Sequence, residues 1–431
     1  MSVAANHPPA RLSWMIWGLG ALLYLFAFFQ RVAPAVMTDQ LMTEFSLGAA
    51  ALGNLSAFYF YSYVFMQVPT GILADRWGPR RLLTAGATVG ALGSLVFALA
   101  PTLFWANAGR LMVGASLSVA FVAMMKLATR WFAPHQFALA TGMALLVGIV
   151  GGVAAGVPLR LALETFGWRP VMTFAAALTG ILAIFIWIRV RDDPSEAGYE
   201  SFATGGGPAG KHGSMWRGVL EALSYRNVWI VMLAAIGLAG SILTFGGLWG
   251  VPYFRQVHGL GTKTASAITS LLLVAWALGG PLLGVWSERL GRRKSIYIGC
   301  VIVSLACWAL VYYWVPPLPL MILLLVIGGF ASGAMILGFA MAKESVPAHL
   351  MGTVAGICNM GPLLGGMLLQ PGVGWILDRY WQGVTAGGAR VYDATAYQAG
   401  FSLMFGCNIA SLLLILMARE TYCRSLDHQQ K

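Results

Sequence analysis

Charge is what this sequence has least of. Only 10% of its 431 residues are Asp, Glu, Lys or Arg, against about a quarter in soluble domains. So few charges cannot cover a water-facing surface, whereas 58% hydrophobic residues suit a lipid-facing one. Cysteine is also scarce. Cys300, Cys307, Cys358, Cys407 and Cys423 form no CxxC pair and fall mostly within apolar runs, which argues for buried apolar roles over metal or disulfide chemistry. Acids are missing from the depths of the apolar runs: Asp39, Glu44, Glu164 and Asp378 stand near run ends, and Glu344 near one face. A carrier of cationic drugs usually needs a buried carboxylate, so that class is disfavoured. No GxxxxGK[ST] loop is present, which disfavours ATP-driven pumping. Neither HExxH nor GxSxG occurs, so no membrane hydrolase, and no enzyme, is expected. The longest polar stretch spans about 35 residues, too short for an independent signalling domain. The net charge is +12, but no long basic tract exists, so nucleic acid is not an expected partner. No cofactor and no metal are expected either.

What remains is a series of apolar runs of about 20 residues, the length that crosses a bilayer. They fall near 14–38, 48–74, 81–103, 106–130, 136–163, 168–190, 227–254, 264–287, 294–315, 318–342, 349–377 and 396–418. The fold class expected is therefore all-α: a membrane protein of twelve transmembrane helices in two pseudo-symmetric six-helix bundles. Residues 1–13 form an N-terminal tail, 14–190 the first bundle, 191–226 a linker, 227–418 the second bundle and 419–431 a C-terminal tail. The linker is rich in Gly, Pro and charge, including Arg191-Asp-Asp-Pro and Thr204-Gly-Gly-Gly-Pro208, with a short surface helix expected near Met215–Leu223.

The turn after the second run reads Gly71-Ile-Leu-Ala-Asp-Arg-Trp-Gly-Pro-Arg-Arg81, and Gly284-Val-Trp-Ser-Glu-Arg-Leu-Gly-Arg-Arg-Lys294 repeats it close to half a chain later. A repeat at half-chain spacing points to duplicated halves. Both turns concentrate Arg and Lys on one side of the membrane, as do Arg130, Arg189, Arg226 and Lys343, while the opposite loops keep fewer, such as Arg160 and Arg255. The positive-inside bias then puts both termini and the linker in the cytoplasm, in a plasma (inner) membrane protein. The apolar run after Ser13 is too long for a signal peptide core, and a retained first helix is expected.

The chain resembles the major facilitator superfamily. Gly71, Asp75, Arg76, Gly78, Arg80 and Arg81 match its signature turn, with Pro79 where a basic residue often stands. Gly284, Glu288, Arg289, Gly291, Arg292, Arg293 and Lys294 form the second copy. Asn107-Ala-Gly-Arg-Leu-Met-Val-Gly114, with Arg110 as its basic residue, resembles a second motif of the family. The resemblance implies a transporter, expected to be monomeric, working by rocker-switch alternating access. The signature turns would hold one conformation closed rather than touch substrate. Within the family, Tyr24, Arg31 and Tyr63-Val-Phe-Met-Gln-Val-Pro69 look most like the organic anion branch. That branch often places an acid before the arginine and another in helix 4. Here Gln30 occupies the first position and 115–119 has no acid, which leaves coupling open between symport with protons and uncoupled movement or exchange.

Arg31 is the leading substrate-site residue. It lies about 25 Å into the first run at 1.5 Å per residue, where a charge costs at least ~2.5 kcal/mol near the bilayer centre. Tyr24, Phe28 and Arg31 share a helix face by spacing, and a guanidinium can bind carboxylate or phosphate through two parallel hydrogen bonds. The competing reading has Arg31 snorkel or pair with a backbone carbonyl. Lys126, in the fourth run, is open to a substrate, gating or snorkelling role. Tyr59, Tyr63 and Gln67 recur every four residues, as do Phe245, Trp249 and Tyr253, faces that suit a cavity or equally a packed aromatic ridge. Gly246, Gly247, Gly250 and Pro252 suggest a bend or break in the seventh helix. Asn359 sits beside a glycine-rich run where the anion branch often has a polar contact. The substrate expected is a small organic anion; the alternative is a carrier or exporter of peptides, zwitterions or amphipathic compounds, which 16 Trp and 22 Phe would suit.

Overall fold

A computed structural model of the chain describes residues 6–202, 215–314 and 316–424. The Gly-Pro stretch Thr204–Pro208, Lys211 and the two chain ends lie outside the described residues. The side chain of Arg217 also lies outside them.

Helix dominates. The first half runs α1 (Ala10–Val32), α2 (Thr38–Phe45), α3 (Ala49–Ala98), α4 (Leu103–Leu117), α5 (Val119–Trp131), α6 (Phe137–Ala154), α7 (Val157–Phe166) and α8 (Trp168–Arg189). The expected surface helix is present as α9 (Met215–Ser224). The second half runs α10 (Arg226–Thr244), α11 (Gly250–Gln256), α12 (Thr262–Leu290), α13 (Lys294–Ala309), α14 (Leu318–Ser332), α15 (Met335–Glu344), α16 (Met351–Arg379) and α17 (Ala394–Met417). Several expected membrane helices are thus built from two consecutive pieces. Among the described residues, eleven segments are long and apolar enough to cross a bilayer.

Two boundaries differ from the sequence expectation. The second and third helices form one continuous element, α3, interrupted only at Gly78, whose φ of 79° and ψ of 160° leave helical space. A residue with a Cβ is disfavoured there, and Pro79 follows, fixing the restart. The seventh helix does not break at its glycines; α10 and α11 are joined by a π-helical turn, Phe245–Trp249. A small antiparallel hairpin, β1 (Thr385–Ala386) with β2 (Ala389–Arg390), was not anticipated. Two-residue strands carry too short an alternation to register in a sequence.

The chain packs as two compact units. One holds Met1–Arg31 and Tyr61–Lys211; the other holds Val32–Phe60 and His212–Lys431. In the second unit α10 crosses α16 so closely that a Cβ added at Gly240 would lie 2.5 Å from the Gly365 Cα. Small residues permit this approach where lipid supplies no hydrophobic drive between helices. Large apolar side chains remain on the outside of the spans, including Phe65, Phe104, Ile184 and Leu413. In water such faces would aggregate; around a membrane span they meet acyl chains.

Candidate functional site

In the first unit, the one-turn spacing of α1 puts Tyr24, Phe28 and Arg31 on a common face, as expected. The rings of Tyr24 and Phe28 meet edge-on at 5.0 Å, and Tyr24 also meets Phe121 at 5.4 Å. Arg31 is buried. Its guanidinium lies 4.5 Å from the Phe28 ring centre and 5.3 Å from that of Tyr63 on α3. A cation over a desolvated aromatic face gains on the order of 1–2 kcal/mol, which offsets part of its burial cost. Two rings against one charge also fix its orientation. Gln67, one turn beyond Tyr63, is half-buried.

The helix behind this face is pinned by polar groups that could not be assigned partners from sequence. Gln30 donates to Ser94 at 2.9 Å, and the buried Arg110 donates from Nη1 to the Gln30 carbonyl at 2.7 Å. Arg110 therefore braces the backbone next to Arg31 from within the same unit. Lys126 reaches elsewhere: its Nζ donates to Asp75 at 2.7 Å and to the Ala74 carbonyl at 2.6 Å. In this conformation its charge is held at the signature turn.

That turn is also fastened at its restart. The Arg80 amide donates to Asp192 at 2.6 Å, and the Arg80 side chain donates twice to the Trp187 carbonyl while lying 4.4 Å from the Trp187 ring centre. Gly71 is half-buried, whereas Arg76 and Arg81 are exposed. In the second unit, Arg293 is buried and donates to Glu344 at 2.9 Å, to Ser287 at 2.9 Å and to Glu288 at 3.4 Å. Glu420 accepts from the amides of Arg293 and Lys294, both at 2.9 Å, capping α13. Burial alone would raise the Glu420 pKa, but these amides and those of Tyr422 and Thr421 outweigh it and hold the carboxyl below its ordinary value. Gly284 and Arg289 belong to this turn, and Gly291 closes α12 in the left-handed region, with φ of 64°.

The second unit contains the remaining sequence candidates. Tyr59 is fully buried against Phe60. Trp249 is buried and donates its indole N–H to the Gln370 carbonyl at 3.0 Å, while Gln370 donates to the Leu243 carbonyl at 3.1 Å. Tyr253 sits in an aromatic cluster with Phe245, Phe254, Tyr397 and Phe401. Asn359 is half-buried on α16.

Sequence reasoning passed over a further network in this unit. Asp378, at the end of α16, accepts from the amides of Ala49 and Ala50 at 2.9 Å each, from Tyr392 at 2.7 Å and from Arg390 at 3.1 Å. It caps the start of α3, where a carboxylate also meets the positive helix end. Arg255 pairs with Asp39 close by in the same unit. The signal was available as acids at run ends, but Ala49 and Ala50 lie more than 300 positions from Asp378, and Arg255 lies 216 from Asp39.

The sequence matches the profile of the Major Facilitator Superfamily over residues 20–370 and 250–421. It is 24% identical to the "Uncharacterized transporter YybO" of Bacillus subtilis, over 94% of this chain and 95% of that protein. It is 24% identical to the "D-galactonate transporter" of Escherichia coli, over 86% and 91%. It is also 23% identical to the "Probable sulfoacetate transporter SauU" of Cupriavidus necator, over 65% and 66%. Among solved structures, it superposes on the D-xylose-proton symporter with a TM-score of 0.70 at 17% identity, covering 96% of this chain and 99% of that one. A bacterial homologue of the lysosomal transporter Spinster gives a TM-score of 0.70 at 17% identity, covering 96% and 97%.

Proposed function

The chain belongs to the major facilitator superfamily, and from that premise we propose that it carries a small organic anion across the membrane by alternating access. It is a multi-pass membrane transporter. The observation that carries the substrate class is Arg31: a buried guanidinium within a span, oriented by Phe28 and Tyr63. Stacked this way, a guanidinium offers its edge to a carboxylate or sulfonate in bidentate geometry. Relatives named for D-galactonate and sulfoacetate support an anionic ligand. The hydroxyls and rings of Tyr24 and Tyr63 and the amide of Gln67 are proposed as further substrate contacts, as are Tyr59, Trp249, Tyr253 and Asn359. The signature turns would serve as latches that hold one conformation closed. We place both termini in the cytoplasm on the basic bias of the turns, and we propose a monomer.

The test is uptake in proteoliposomes of a panel of hydroxy acids and sulfonates. Arg31→Gln should lower transport of the true substrate at least tenfold, while Arg31→Lys keeps charge but not bidentate geometry and should fall between. Unchanged transport in Arg31→Gln would remove Arg31 from the site. Stabilisation of the protein by neutral or cationic compounds only would favour the zwitterion or amphipath reading. Residue 30 is an amide and does not titrate, so substrate accumulation driven by an imposed pH gradient would assign coupling to another group.

A further inference from the structure

The end of α13 holds a cavity of about 360 Å³ lined by Arg292, Lys294, Ser295, Ile298, Glu420 and Tyr422. It lies within the second unit, where α13 and α17 pack side by side. Its polar rim is cationic. Arg292 is exposed and makes no side-chain hydrogen bond or ion pair among the described residues. The Lys294 Nζ donates to the Leu416 carbonyl at 2.8 Å, which leaves two of its three N–H bonds for a ligand. Glu420 lines the same cavity, its carboxylate accepting from the amides of Arg293 and Lys294, so the rim holds two cations against one acid. Ile298 is the aliphatic residue of the lining, and an exposed apolar face continues beyond it. Ile298 leads one turn on to Ile302, 50% exposed, and α17 presents Leu413 and Leu416, 58% and 49% exposed. These side chains belong to membrane spans, so their open faces meet lipid tails. Tyr422, 60% exposed, adds an amphipathic ring at the same end, of the kind that settles at headgroup level.

We propose that this cavity is a binding site for one anionic phospholipid. Its phosphate would sit between Arg292 and Lys294, with the Ser295 hydroxyl as a further donor, and one acyl chain would run over Ile298 and Ile302. A basic cavity at a span end that opens onto an apolar face matches a charged headgroup joined to a hydrocarbon tail. A soluble anion would use the rim and leave the apolar face without a role.

The experiment is native mass spectrometry of the delipidated, detergent-purified full chain titrated with phosphatidylglycerol or phosphatidylcholine of identical acyl chains. One phosphatidylglycerol should bind at least tenfold more tightly than phosphatidylcholine. The double variant Arg292→Gln with Lys294→Gln should bring the two lipids to equal affinity. Ser295→Trp, which keeps both charges and fills the cavity, should likewise abolish the tight site. Both variants should change the thermal midpoint of the delipidated protein only slightly, since Arg292 and Ser295 are exposed and Lys294 gives up one hydrogen bond. Retained tenfold preference in the double variant overturns the proposal. So does loss in the double variant but not in Ser295→Trp, which would show diffuse charge attraction without a built site. Displacement of phosphatidylglycerol by inorganic phosphate at hundredfold excess would assign the cavity to a soluble anion and overturn it as well.

Discussion

The two signature turns arise from one repeated sequence, yet they are held in opposite electrostatic senses. Each closes on an acid that lies just past the last helix of its half: Asp192 takes the Arg80 amide, and Glu420 takes the amide of Arg293. Arg80 and Arg293 occupy equivalent places in the repeat, so this backbone cap is common to both copies. The side chains are not. In the first turn the acid, Asp75, meets a cation supplied by α5, and its side chain is 63% exposed. In the second the cation, Arg293, meets an acid supplied by α15, and the pair is 7% and 15% exposed. The comparison teaches that duplication preserved the cap and left the charge pairing free to invert. It also left the turn's ion pair buried in one half and partly exposed in the other.

The largest expected effect follows from that burial. Removing one partner of a buried ion pair leaves the other charged and unsatisfied, at about 3–5 kcal/mol. Arg293→Ala should therefore lower the thermal midpoint in detergent markedly, whereas Asp75→Ala should barely move it. A small loss for Arg293→Ala would mean that Glu344 finds other donors. Thr421, which already hydrogen-bonds Glu344, is the nearest one. The asymmetry between the turns would then collapse.

Next come the caps. Loss of a helix-capping carboxylate costs about 1 kcal/mol, and Asp192→Ala and Glu420→Ala should each cost about that much. Equal losses would show that the cap is the conserved part of the repeat; a large difference would break the comparison. Acid adds a second reading of the Glu420 cap. The Glu420 pKa is depressed in the fold, so its contribution is complete above the unfolded carboxylate value of about 4.3 and is lost as pH falls through the folded value. Urea unfolding in detergent from pH 6 downward should show this loss. Glu420→Gln should flatten the slope, and an unchanged slope would place the titration elsewhere.

Much of this architecture was legible in the sequence. Runs of bilayer length, the half-chain echo of Gly71–Arg81 and the scarcity of charge led to the family and the fold, because each is a local or periodic property. The face carrying Tyr24, Phe28 and Arg31 was legible for the same reason: helical spacing alone puts the three side chains together. Asp192 and Glu420 were not, since they lie 112 and 127 positions from the amides they cap. Asp378 escaped for the same cause, with partners at Ala49 and Ala50. The continuity of α3 through the first turn was hidden because a charged, glycine-containing stretch looks like a loop, while only Gly78 actually leaves helical geometry.

The smallest expected effect is the most informative about function. Lys126 and Asp75 form a partly exposed pair, which is worth roughly 0.2–1 kcal/mol. Lys126→Gln, Asp75→Asn and the double variant should give a coupling energy in that range. Transport separates the roles that stability cannot. A pure latch residue works through Asp75, so both single variants should change turnover alike and leave the KM for the anion alone. A lysine that also meets substrate should raise KM in Lys126→Gln but not in Asp75→Asn. The structure holds the ammonium at Asp75 and the Ala74 carbonyl, and the equal-turnover outcome is the one expected. A KM effect confined to Lys126→Gln would instead make Lys126 a second anion-binding cation alongside Arg31, released from the signature turn during the transport cycle.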